Sequence, residues 1–268
     1  MKSILLYVSD DSTMEARLQS ALDLARSFDA HLTCLQAMPF EVIIGGDTFV
    51  TAYVATELVE EFQQRQEEQR ATLEKRLTSE GVRWNWLTLN QEPELALIGQ
   101  AGLADVVVLG LPGAQEPGKA RSLISSIAVT VRAPVLAVPG AQRAFDCDGP
   151  AIVAWNGSME SAHALRASLP LLAKAASVHV VTVTDDRLQM PAAAAAEYLS
   201  RHGVKSELCD WQRGKRRVSE VLVEGAKALG CTYMVAGAYG HTRFREAILG
   251  GVTRELIEAA SIPLLITH

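Results

Sequence analysis

Short apolar runs alternate with stretches of helical periodicity along the whole chain. The first run, ILLYV at 4–8, is bounded by the polar SDDS, as a buried strand ending in a turn would be. Apolar residues then recur at Met14, Leu18, Ala21, Leu22 and Ala25, a spacing that predicts a helix, with Ser12 as its N-cap and Glu15 three residues on. HLTCLQA at 31–37 predicts the second strand. From 49 to 81 a long helical pattern places Val54, Leu58, Phe62, Leu73 and Leu77 on one stripe with charges elsewhere. It reads either as a solvated helix packed along that stripe or as a surface for a protein partner.

The same order returns after Pro150. AIVAW at 151–155 predicts a strand, NGS a turn, and Ala162, Leu165, Leu169, Leu172 and Ala173 a helix that Ser158 caps, with VHVVTV at 178–183 as the next strand. The offset is about 147 residues. Later parts repeat too. PELALIGQAGLADVVVLGLPG at 93–113 parallels VSEVLVEGAKALGCTYMVAGAYG at 218–240, each a helix, a buried strand and Gly-x-x-Gly, and APVLAVPG parallels IPLLITH. Two α/β units are expected, 1–140 and 150–268, joined by the polar linker GAQRAFDCDG at 140–149. Near-continuous apolar strands alternating with helices predict parallel sheets covered on both faces. Ligands in such folds sit beyond the carboxyl ends of the strands, where NGS and GAYG both arrive.

Composition narrows the classes. About half the residues are apolar, enough for a large core. A formal charge of −6 and a pI near 5.6 argue against a general nucleic-acid binder. RGKRR at 213–217 reads as a solvated loop rather than a nucleic-acid patch. Cys34, Cys147, Cys209 and Cys231 have no C-x-x-C spacing, which suits reduced thiols better than zinc or disulfides. The N-terminus lacks the features of a signal peptide, and no apolar run reaches the length of about 18 that a membrane span needs. A cytoplasmic protein is expected, with no membrane partner.

The stretch VAGAYGHTRFREAILGGVTREL at 235–256 carries the candidate chemistry. Gly237 and Gly240 are followed, after nine intervening residues, by Gly250 and then Gly251. Glycines let backbone amides converge on an anion, and a helix starting near Gly251 adds its own N-terminal amides and dipole. Thr253 supplies a hydroxyl; Arg243, Arg245 and Arg254 supply cations; His241 follows Gly240 directly. Neither G-x-x-x-x-G-K-[ST] nor G-x-G-x-x-G is present.

G-x2-G-x9-G followed by a hydroxyl residue after a fourth strand resembles the nucleotide loop of the universal stress protein family. IVAWNGSMESAHALRASLPLL at 152–172 and the terminal IPLLI extend the likeness, strongly over 151–268 and loosely over 1–140. The resemblance implies two tandem Rossmann-like units, of the adenine nucleotide alpha hydrolase-like kind, each a mostly parallel five-stranded sheet flanked by helices. It also implies an adenine-nucleotide site, for ATP with or without Mg or for another adenine nucleotide, in the second unit. Gly237, Gly240, Gly250 and Gly251 would line phosphates and ribose, with the amides of Val252 and Thr253 completing the cradle. The Val183 backbone would read the adenine edge, and Asn156 falls where the family usually has Asp, an amide that brings no charge for a metal. Gly251 stands where ATP-binding members often have Ser or Thr.

The first unit departs further. Gly110 and Gly113 remain, Leu123 stands where the third Gly would be, Ser125 and Ser126 mark a remnant, and Ser9 falls at the Asp position. It reads as a degenerate copy that packs against the second. Asp10 and Asp11 read as a solvated turn pair, the six histidines lack metal spacing, and Ser158 lacks a nucleophile elbow. The resemblance implies a nucleotide-binding stress-response module without catalytic residues, its repeats paired within the chain and a homodimer open to it. A slow ATPase or other nucleotide hydrolase, and a ligand-free interaction scaffold, remain as alternatives.

Overall fold

A computed structural model of the chain describes residues 1–37, 52–111, 113, 118–183, 189–238 and 251–268. The first half runs β1 (Ser3–Val8), α1 (Met14–Phe28), β2 (His31–Ala37), α2 (Ala52–Ser79), β3 (Arg83–Leu89), α3 (Pro93–Gln100), β4 (Val106–Leu111), α4 (Lys119–Thr130) and β5 (Val135–Pro139). The second half begins with β6 (Ala151–Ala154), α5 (Met159–Ala167), α6 (Leu169–Leu172), β7 (Val178–Thr182) and α7 (Ala192–Arg201). It ends with β8 (Glu207–Asp210), α8 (Val218–Ala228), β9 (Tyr233–Gly237), α9 (Gly251–Ala259) and β10 (Leu264–Thr267).

The described strands form one ten-stranded sheet in the order β3-β2-β1-β4-β5-β10-β9-β6-β7-β8. Within each half every pairing is parallel, and the order (third, second, first, fourth, fifth) is the same. The halves meet where β5 and β10 pair antiparallel, Leu264 opposite Ala137, Leu265 opposite Leu136 and Ile266 opposite Val135. All six side chains are buried. The two expected units thus share a continuous sheet.

Strands such as LLYV and VVVL bury both faces because helices cover both, so alternation is absent and nearly every position is apolar. Leu6, Leu18, Leu22, Leu32 and Val108 are wholly buried on one face, and Val107, Leu97, Ile127, Ile152 and Met234 are buried on the other. Each such aliphatic side chain contributes about 1.5–3 kcal/mol by leaving water. Strand order reverses between β1 and β4 and again between β6 and β9, so each half opens a crevice at its carboxyl edge there.

Three local expectations change. Helix α1 starts at Met14 with Thr13, not Ser12, at the cap, and the Thr13 hydroxyl makes no capping bond. The helix expected through Ala173 breaks at Ser168, just before Pro170, which lacks an N–H and starts a new turn, α6. The linker at 140–149 is not merely solvated. Phe145 and Cys147 are buried, the Phe145 ring lies 5.7 Å from that of Tyr233 on β9, and the Phe145 N–H donates to Asp23 of α1 at 2.8 Å, so it ties the halves together. RGKRR is exposed as expected, and Arg217 pairs with Glu220 at 2.8 Å. On the long helix Leu73 and Leu77 are buried; the positions 49–51 and the side chains of Val54, Leu58 and Phe62 lie outside the described residues.

Candidate functional site

The crevice of the second half is built where the ends of β6 and β9 meet the starts of α5 and α9. After β6 the chain turns through Asn156, Gly157 and Ser158. The Asn156 side-chain oxygen accepts from the Ser158 N–H at 3.1 Å, and Gly157 takes a φ of 72°, which closes the turn without a Cβ clash. Ser158 caps α5 as expected, its hydroxyl accepting from the Ser161 N–H at 3.2 Å. The exposed Asn156 therefore presents to solvent a side chain whose oxygen already holds the turn.

Gly237 ends β9 against the first turn of α5. A Cβ there would lie 2.6 Å from the Glu160 carbonyl carbon and the Ser161 nitrogen, so the glycine lets helix and strand pack. The Gly237 carbonyl accepts from the Thr253 hydroxyl at 3.1 Å, which fastens the first turn of α9 to the same strand end. Ser219 of α8 donates to Glu255 at 2.5 Å and holds α9 from the other side. Among the described residues nothing lies within 4 Å of a Cβ built on Gly251, the first residue of α9, and Val252 is exposed beside it. The amides of that first turn lack intrahelical acceptors, which makes them donors for an anion. Val183 is buried directly after β7.

These positions sort the expected site residues. Asn156, Gly251 and Val252 border the crevice. Gly237 and Thr253 build it, with the Thr253 hydroxyl engaged by Gly237 rather than turned outward. Val183 follows the neighbouring strand β7. Gly240, His241, Arg243, Arg245 and Gly250 lie outside the described residues. Arg254 is exposed and pairs with Glu258 at 3.2 Å.

The corresponding place in the first half is filled by the protein's own groups. Ile4 pairs with Val106 as Ala151 pairs with Tyr233, so Gly110, four residues on, matches Gly237. A Cβ at Gly110 would run into the side chains of Thr13 and Arg17. Arg17 is only 1% exposed. Its guanidinium donates to both Asp11 carboxylate oxygens at 2.6 and 2.8 Å, to the Thr13 hydroxyl at 2.7 Å, and to the carbonyls of Tyr7 and Ser9 at 2.8 and 2.9 Å. Burial works to raise the Asp11 pKa, but hydrogen bonds and charge from Arg17, with Ser9 and Thr13, prevail and hold it down to about 2. Asp11 is therefore not the free solvated acid expected of it. The Ser125 hydroxyl donates to the Arg121 carbonyl at 2.7 Å and Ser126 bonds Glu94, so neither faces a ligand.

Sequence reasoning passed over Arg17, though a signal existed. It lies on the α1 apolar stripe, three residues after Met14 and four before Ala21, where a charged residue stays only if a partner meets it. Among the described residues no group of three His, Cys, Asp or Glu is placed to hold a metal, and no helix is long and apolar enough to cross a membrane. Burial pushes the thiols of Cys34 and Cys147 up to about 12, which makes them poor nucleophiles.

Residues 150–268 match the model of the Universal stress protein family. Among solved structures, a universal stress protein from Archaeoglobus fulgidus DSM 4304 matches with a TM-score of 0.75 at 13% identity, covering 98% of this chain and 97% of that one. A functionally unknown protein from Pseudomonas aeruginosa PAO1 matches with a TM-score of 0.59 at 15% identity, covering 100% and 92%. A putative universal stress protein from P. aeruginosa UCBPP-PA14 gives 0.57 at 15%, covering 100% and 93%. At these identities the likeness is one of fold, and it runs the full length of the chain. Comparison with curated proteins finds no match.

Proposed function

From the match of residues 150–268 to the universal stress protein family, we propose that this chain is a cytoplasmic stress-response module. On this reading an adenine nucleotide such as ATP binds in its second half only. Two units, 1–140 and 150–268, pair through β5 and β10, and the first contributes packing instead of a second site. Asn156, the Val183 backbone, Gly240, His241, Arg243, Gly250, Gly251 and Val252 are the candidate ligand contacts, with Gly237 and Thr253 framing them.

The observation that carries this reading is the contrast between the two crevices. Beside Gly110 the side chains of Thr13 and Arg17, paired with Asp11, occupy the crevice edge, whereas the matching Gly237 meets only the backbone of α5 and, through Thr253, the first turn of α9, whose amides are donors. An anion therefore finds donors in one half and a neutralised ion pair in the other. No acid is offered at Asn156 to hold a metal, so the reading is of a binding module and not a hydrolase.

Equilibrium dialysis of the full chain against ATP, ADP and AMP tests it. One nucleotide per chain is expected. Gly251→Ser, which adds a hydroxyl that no described residue obstructs, should tighten binding, and Gly251→Asp should weaken it by about tenfold or more through like charge, a difference of about 1.4 kcal/mol. Neither variant should change thermal stability appreciably. Absence of binding at millimolar nucleotide by folded protein overturns the proposal, as does binding that ignores Gly251→Asp.

A further inference from the structure

A second pocket, of about 520 Å³, lies at the carboxyl ends of β7 and β8 and is lined by Thr182, Gln189, Pro191, Ala192, Leu208, Cys209 and Asp210. Of the residues assigned to the nucleotide, none lines it. Its wall combines three kinds of chemistry. Thr182 is 8% exposed, and its hydroxyl is buried with no hydrogen-bond partner among the described residues. Helix α7, ten residues long, points its N-terminus at the same space, and its first intrahelical bond is made only by the Ala194 N–H, to Pro191 at 2.9 Å. The amides of Ala192 and Ala193 precede that bond and are donors. Asp210 is the register partner of Thr182 across β7 and β8, so the two residues lie side by side on one face of the sheet, their backbones one strand spacing, about 4.8 Å, apart. Leu208, on the same face, is 52% exposed, an apolar wall facing solvent.

A buried hydroxyl without a partner is costly, and native proteins keep few of them. This one sits where a ligand would satisfy it. The amides of α7 and the Thr182 hydroxyl call for an anionic acceptor. Asp210 calls for a cation a few ångströms away and disfavours a phosphate, whose two charges it would face. Leu208 and Pro191 call for an apolar body. We propose that this pocket binds a small zwitterion, an α-amino acid with an aliphatic side chain. Its carboxylate is held by Thr182 and the first turn of α7, its ammonium by Asp210, and its side chain by Leu208 and Pro191. The segment is set in place by Trp155, whose indole N–H donates to the Met190 carbonyl at 3.0 Å next to Pro191.

Nuclear magnetic resonance on the labelled full chain tests this, with L-leucine, isovalerate (the carboxylate alone) and isoamylamine (the amine alone) as probes. Leucine is expected to shift the amides of Ala192, Ala193 and Asp210 saturably, and each single-charge analogue to bind at least about tenfold more weakly. Thr182→Val and Asp210→Asn should each weaken leucine by about tenfold while leaving the rest of the spectrum in place, which shows that both variants fold. The proposal is overturned if leucine produces no saturable shift, if either analogue binds as tightly, or if Thr182→Val keeps full affinity. ATP titrated into the same sample reads Val252 and Thr253 instead, so the nucleotide reading stands or falls separately.

Discussion

Asp11 and Arg17 occupy unequal surroundings, and the inequality decides what each substitution costs. Arg17 is almost wholly buried, while the Asp11 side chain keeps 35% of its exposure. Removing the acid strands a cation in the interior; removing the cation leaves an acid that water still reaches. Asp11→Ala is therefore expected to destabilise the chain by about 3 kcal/mol, and Arg17→Met by clearly less, as urea unfolding would measure. Equal losses, or the reverse order, would contradict the clasp described at this edge. The acid's pKa also sets a pH dependence. It is depressed in the folded chain from 3.8 to about 2, so its stabilising contribution is complete above about pH 4 and is lost as pH falls through about 2. Asp11→Asn should flatten the unfolding free energy across that acid range. At Thr182 the expectation is opposite in sign. Thr182→Val removes a buried hydroxyl that lacks a partner among the described residues, and should raise the melting temperature of the ligand-free chain by a few degrees, about 1 kcal/mol.

At the scale of elements, two glycines of one loop do different work. Gly237→Ala forces a Cβ into the backbone of α5, which cannot withdraw as a flexible side chain would, and should cost about 3 kcal/mol. Gly251→Ala meets nothing among the described residues and should be neutral or slightly stabilising at the start of α9. Differential scanning of both variants checks the contrast. These elements also show what could be read in advance. Strands β1, β4, β6 and β9 announce themselves because both faces are covered, leaving uninterrupted apolar runs. The third strand of each half, β3 and β8, is not legible in the pattern. Both are edge strands whose positions are mostly exposed or half-buried, so RWNWLTL and ELCD lack that run. The Asn156 turn and the glycines after β9 were legible as local chemistry. The clasp left only the signal of a cation on an apolar stripe six residues from Asp11, and the α7 pocket left none, because Thr182 and Asp210 come side by side only through the register of β7 and β8.

At the scale of the molecule, the β5–β10 seam joins the halves with buried aliphatic residues and a linker that packs instead of swinging free. Unfolding is therefore expected to be a single transition, with calorimetric and van't Hoff enthalpies equal. Leu265→Ala, at the middle of the seam, should lower stability by about 2–5 kcal/mol without splitting it. Two resolved transitions would mean that the halves fold independently despite their shared sheet.

The antiparallel sense of that one junction has a geometric result. Strands of the two halves run in opposite directions, so the carboxyl rim of the second half and that of the first lie at opposite ends of the sheet. The open crevice and the sealed one never face a common partner. A duplicated chain with both rims open would look alike from either end; closing one with Arg17 gives the molecule a head and a tail. On the proposed reading, a partner that senses the nucleotide would meet the molecule at the α9 end, away from the rim that Arg17 closes.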